Sequence, residues 1–189
     1  MTSKFNHNRA FIQVFLLVLI LTPLKTFAQQ GKPLEVSKEI TEAILKDVWT
    51  PFMESYREVD VEKFKSIHAK NVTRVSINMN KIEDRLTYFK SLDSFFQNVK
   101  KMKRQMDIKF SILSSATSEN KAYQTGHFCF SSRGSDTELF QPRGYGYFNV
   151  ILIKENGVWK ITMDSDKQLS ISEEEFRGSG VIYELFDKL

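Results

Sequence analysis

Asp164 and Asp166 stand two residues apart in Asp164-Ser165-Asp166, at the end of a strand-like run, so both carboxylates point the same way. Two such groups can raise one another's pKa and share a proton, which suits acid–base chemistry. They can equally hold a hard cation such as calcium, or form a solvated strand end. Arg74, a cation within a half-apolar strand, offers a fork for a ligand carboxylate. It could as well bridge to Asp164 or Asp166. Tyr145 and Tyr147, with Trp49 and Tyr56, supply aromatic walls and hydroxyl tips for an apolar pocket. Beyond His7 the only histidines are His68 and His127. A zinc site needs three or four ligands, and neither a His-x-His nor a helical His pair occurs, so no metal and no cofactor is expected. His127 is the candidate proton partner of the aspartates. Cys129 lies on the same strand face, but that spacing is roughly 7 Å, too long for a Cys–His hydrogen bond.

These residues need elements to carry them. Val36, Ile40, Ile44, Val48, Phe52 and Tyr56 recur every fourth position, which predicts a helix with one buried face. Pro51 interrupts it, so Glu35 to Arg57 should form one kinked helix or two abutting ones. Asp60 is placed to cap a short helix containing Phe64 and Ile67. Val72 to Met79 alternates as a half-polar strand. Ile82, Leu86, Phe89, Phe96 and Val99 then return to helical spacing and end in Lys100, Lys101, Lys103 and Arg104. Cations there complement the helix dipole. From Met106 the period changes to that of strands: Ile108 to Ile112, Ala122 to Ser132, Gly144 to Lys154 and Val158 to Met163. Asn156-Gly157 is a hairpin turn signal. Val150 to Ile153 is apolar on both faces and must be covered on both, by the C-terminal segment or a second copy. Ser172 and Glu175 have capping-box spacing, and Val181 to Leu189 supplies a further apolar face in a helical tail.

Composition narrows the classes. The 189 residues carry 27 Lys+Arg and 23 Asp+Glu. Met1 to Ala28 reads as a secretory signal, with Lys4 and Arg9 before the apolar Phe11 to Leu21 and Thr26-Phe27-Ala28 at the cut. Its removal takes three cations and no acids, leaving 24 against 23. The basic stripe that nucleic-acid binding needs is then gone. The apolar run is shorter than the roughly 20 residues that span a bilayer, so no stable membrane insertion is expected after cleavage. With 16 Phe, 6 Tyr and 2 Trp, intrinsic disorder is excluded. One cysteine allows no internal disulfide, which suits a bacterial periplasm or extracellular space. The chain divides into a signal at 1–28, one α+β domain at 29–169, and a tail at 170–189.

The order of elements, with Trp49 to Asp60, His68-Ala69-Lys70-Asn71-Val72 and Gly144-Tyr145-Gly146-Tyr147-Phe148 leading into Asn156-Gly157-Val158-Trp159-Lys160-Ile161, resembles the nuclear transport factor 2-like superfamily. More narrowly it resembles the SnoaL-like domains of exported bacterial proteins. The resemblance implies a cystatin-like roll: a strongly curved antiparallel sheet wrapped round N-terminal helices, with a pocket at the wide end and often a dimer through the outer sheet face. Steroid-isomerase-like members carry one carboxyl group near the end of the first strand and another before the last hairpin turn. Ser76 and Asn149 or Val150 stand there in this chain. The expectation is therefore an exported homodimer that binds an unknown small molecule. An isomerase, dehydratase or hydrolase using Asp164 or Asp166 with His127 or a tyrosine is the alternative, and a protein-interaction module is a third.

Overall fold

The computed structural model describes residues 37–186, and the expected signal at 1–28 lies outside them. Helix α1 (Lys38–Ile44) runs through a π-helical turn (Leu45–Trp49) directly into α2 (Thr50–Glu58). Pro51 explains the widened turn, because it has no N–H to donate and its ring crowds the carbonyl four residues back. The Thr50 amide reaches back five residues to the Leu45 carbonyl instead. Asp60 accepts from the Glu62 and Lys63 amides and caps α3 (Val61–Ser66), as its position suggested. Asp84 caps α4 (Arg85–Lys101) by accepting from the Thr87 amide. The buried face of α4 is Tyr88, Phe89, Leu92, Phe96 and Val99. Leu86 and Ile82, expected on that face, are 78% and 77% exposed. The helical phase is set by Tyr88 and Leu92 rather than by Leu86, and Ile82 belongs to a strand.

That strand is β2 (Lys81–Glu83), which follows β1 (His68–Ser76). Four long strands come next: β3 (Gln105–Thr117), β4 (Lys121–Arg133), β5 (Gln141–Glu155) and β6 (Val158–Leu169). They form an antiparallel meander whose last turn places Asn156 and Gly157 at positive φ. Strand β1 then pairs parallel with β6, giving the order β2-β1-β6-β5-β4-β3-β7. The Ser172–Glu175 capping box starts α5 (Glu173–Gly178). Val181 to Tyr183 corrects the expected helical tail: these residues are strand β7, paired with Phe110 to Ile112 of β3. The outer edge of β3 would otherwise offer unpaired backbone groups, and a strand satisfies them where a helix cannot. Arg57 of α2 binds Asp107 of β3, with Nε 3.1 Å from Oδ1, and also donates to the Leu185 carbonyl at 3.2 Å. Helix, sheet and tail are thus clasped together.

Helices α1 to α4 pack on one face of the sheet, around Trp49, Phe52, Phe64, Phe96, Phe110 and Phe148, while α5 lies against the other face through Phe176 and Tyr145. On β5, Val150 and Leu152 are buried in this core. Ile151 points the other way and is 37% exposed, so no element of the described residues covers both faces of the run. Curvature comes from a reciprocal pairing. Gly126 of β4 faces Phe148 of β5, and Phe128 of β4 faces Gly146 of β5. Each ring lies over the glycine opposite, so a Cβ on Gly146 would overlap Phe128 and the Lys167 carbonyl oxygen. Bare glycine backbone under a ring lets the strands bend without a void. At Gly144 nothing lies within 4 Å of such a Cβ. Gly146→Ala should therefore lower stability by about 1–3 kcal/mol through overpacking, whereas Gly144→Ala should stay within about 0.5 kcal/mol, both read from urea unfolding midpoints.

Candidate functional site

Parallel pairing of β1 with β6 sets Arg74 beside Asp164 and Ser76 beside Asp166. The guanidinium spans both acids: Nη1 lies 2.9 Å from Asp164 Oδ1 and Nη2 lies 2.7 Å from Asp166 Oδ2. Tyr88 of α4 lies beneath it, with the guanidinium carbon 5.4 Å from the ring centre, and its hydroxyl donates to Asp164 Oδ2 at 2.7 Å. His68 Nε2 stands 3.8 Å from the same oxygen. The other ring nitrogen, Nδ1, lies 2.9 Å from the Phe64 carbonyl, which can only accept, so Nδ1 carries the hydrogen. Of the two structural roles open to Arg74, ligand anchor or bridge, the bridge is made, and to both aspartates at once.

This geometry separates the two acids. Burial works to raise the Asp164 pKa, but the Arg74 charge and the hydrogen bond from Tyr88 outweigh it and hold the carboxyl well below its ordinary range. Asp166 goes the other way. Burial raises it, and Arg74 offsets only part of the rise. Burial also raises the hydroxyls of Tyr88 and Tyr56, keeping them protonated hydrogen-bond donors.

The bridge forms part of the wall of a cavity of about 630 Å³. Trp49, Phe52 and Tyr56 line it from the helices, and Phe110, Phe128 and Phe148 from the sheet. Trp49 is fixed by donating from Nε1 to Gln124 Oε1 at 2.8 Å, inside the core. Asn78, Met79, Phe95, Phe130 and Leu169 are also part of the wall, and so is Arg143. Among the described residues the Tyr56 hydroxyl makes no hydrogen bond, and Arg74 is the only side chain on the Asp166 carboxylate.

Six of the eight residues singled out from the sequence line this cavity: Trp49, Tyr56, Arg74, Tyr145, Asp164 and Asp166. His127 and Tyr147 do not. They are cross-strand partners on the opposite sheet face, ring centres 5.9 Å apart, with His127 Nδ1 3.1 Å from Ser179 Oγ. Alternation demands this, since Gly126 and Phe128 on either side of His127 face the core. His127 therefore cannot exchange a proton with Asp164 or Asp166. Tyr145 borders the cavity, but its ring packs on Phe176 of α5 at 5.8 Å. Burial and the neighbouring Cys129 thiol push its hydroxyl up to about 12. Tyr88 and His68 were missed as site residues; spacing of four from Leu92 marks Tyr88 as inward-facing, whereas nothing local marks His68. Among the described residues, no group of three or more His, Cys, Asp or Glu is arranged to hold a metal ion.

No family model matches the chain, and no curated protein does. Solved structures do match. A nuclear transport factor 2-like protein with a cystatin-like fold from Novosphingobium aromaticivorans superposes with a TM-score of 0.56 at 11% identity, covering 74% of this chain and 87% of that one. A cystatin-like protein of unknown function from Nostoc punctiforme gives 0.51 at 12% identity, over 70% and 92%. A nuclear transport factor 2-like protein of unknown function from Shewanella oneidensis gives 0.50 at 17% identity, over 67% and 98%. The chain has the nuclear transport factor 2-like fold.

Within this nuclear transport factor 2-like sheet the Arg74 bridge is a stability element. Removing one partner of a buried pair leaves an uncompensated charge, so Arg74→Met should cost about 3 kcal/mol. Combining it with Asp164→Asn and Asp166→Asn should restore more than half of that loss in urea unfolding. A triple variant as unstable as the single would show that charge is not the cause.

Proposed function

We propose that the chain is an exported domain that holds a small, largely apolar molecule in the cavity described above. The observation that carries this reading is the cavity itself: aromatic on most sides, about 630 Å³, with the second carboxylate oxygen of Asp166, Oδ1, and the Tyr56 hydroxyl making no hydrogen bond to the described residues. A space of that size lies in the range that encloses small ligands. Arg74 is held by its two acids, so a hydrogen-bond donor on the ligand would meet Asp166, and an acceptor would meet Tyr56. Export rests on the Met1–Ala28 pattern. A second copy of the chain is the proposed cover for the outer sheet face, where Tyr123 (43% exposed), Ile151 and Met163 form one cross-strand row. Native mass spectrometry of protein purified from its own host reads both points. The expected result is a dimer mass lacking residues 1–28, with a small-molecule adduct that Asp166→Asn or Tyr56→Phe weakens. A bare monomer would overturn the reading.

The separation of the two carboxyls favours a second reading, proton transfer on the bound molecule. Asp166 is raised toward the range in which a carboxyl can carry a proton, while Asp164 stays charged. In deuterated water the wild type should then exchange a proton of the bound molecule, and Asp166→Asn should slow this by about 100-fold or more. Equal exchange in both proteins would leave binding alone.

A further inference from the structure

Arg143 lies where strand β5 loses its regular pairing with β4. Phe130 is opposite Gly144, but Ser131 is opposite Pro142, so Arg143 is the extra residue of a β-bulge. The inward positions of β5 run Phe148, Gly146, Gly144, and simple alternation would turn Arg143 to the outer face. The bulge breaks that alternation, and Arg143 lines the cavity. Bulges commonly re-aim a side chain in this way beside functional sites. Arg143 Nε donates to Ser132 Oγ at 2.8 Å, which orients the guanidinium and leaves its two terminal nitrogens uncommitted.

Four charged residues line the cavity: Arg74, Asp164, Asp166 and Arg143. The first three compensate one another. Arg143 is the one charged group of the cavity wall without an oppositely charged partner among the described residues; Arg85 and Arg104, the other arginines without a carboxylate partner there, do not line the cavity. Gly144 beside it leaves open space.

We infer that Arg143 is an anion subsite of the cavity, and that the ligand class is an organic carboxylate with an apolar body. The carboxylate lies in the Arg143 fork and the body lies among Phe128, Phe130 and Phe95. A guanidinium with one edge already fixed loses little freedom on taking a planar carboxylate bidentately. This inference rests on the proposed small-molecule reading of the same cavity.

The test uses 4-phenylbutyrate and decanoate, each against its methyl ester, with Trp49 fluorescence and calorimetry as readouts on the purified full chain. The wild type should bind each acid about tenfold or more tighter than its ester. Arg143→Gln should lose that preference while keeping ester affinity and melting temperature. Lys46→Gln, a surface cation outside the cavity, should change nothing. Equal binding of acid and ester by the wild type, or a preference that survives Arg143→Gln, overturns the anion subsite and leaves the binding cavity standing. Failure of both acids and both esters to bind, with no host-derived adduct, overturns the subsite and the cavity reading together.

Discussion

A carboxylate inside an aromatic interior is tolerable only when charge and hydrogen bonds compensate it, and Asp164 meets that demand with the Arg74 guanidinium and the Tyr88 hydroxyl. Arg74 comes from β1 and Tyr88 from α4, with the His68 ring at the start of β1 beside them, and the acid they surround is on β6. These elements are distant in the chain; Arg74 and Asp164 are 90 residues apart. The other long strands are joined to their neighbours by turns, so their pairing is largely local. The seam between β1 and β6 has no such help, and its alignment is the one that brings the arginine beside both aspartates. A slip of one residue would turn Arg74 to the other face of the sheet and leave Asp164 buried without a partner. The polar cluster is therefore both the means of joining β1 to β6 and the chemical feature of the cavity.

The hollow beside it follows from the other half of the sheet. Two glycines lying under two phenylalanines let β4 and β5 bend toward the helices, while the rings keep the bend filled. Farther along, Trp49 is held off by Gln124, a buried amide that also donates to Ser115. The aromatic walls stand where they do because polar residues and glycines prescribe their distance. Space remains between them, with the pair of acids on one side and a lone guanidinium on another.

Much of this was legible from residue types and spacing. The fourfold stripe from Ile40 to Tyr56, the Asp60 cap, the Ser172–Glu175 box and the Asn156-Gly157 turn are local signals with local causes, and each forms the expected element. The Arg74–aspartate bridge was readable as one of two options, because residue type shows that an anion is needed but not which one. His127 and Tyr147 show the limit of choosing residues by chemistry alone; the phenylalanines and glycines next to them already assigned their faces. Arg143 is a different case. Its inward turn depends on one extra residue in the pairing of β5, and a single strand's alternation contains no trace of what its neighbour does. The tail was misread for a similar reason: Val181 to Tyr183 is a strand because β3 has an open edge, a fact external to those three residues.

Both borders of the sheet are strands of only three residues, β2 with Lys81 and Glu83 at one side and β7 at the other. Neither presents a long ladder of open amides and carbonyls onto which a foreign chain could register. Each border strand pairs with only three residues of the strand inside it, Arg74 to Ser76 of β1 and Phe110 to Ile112 of β3, so the rest of those edges must be shielded by other means. On the broad outer face, by contrast, side chains rather than backbone set the surface, in the outward-facing positions of the four long strands.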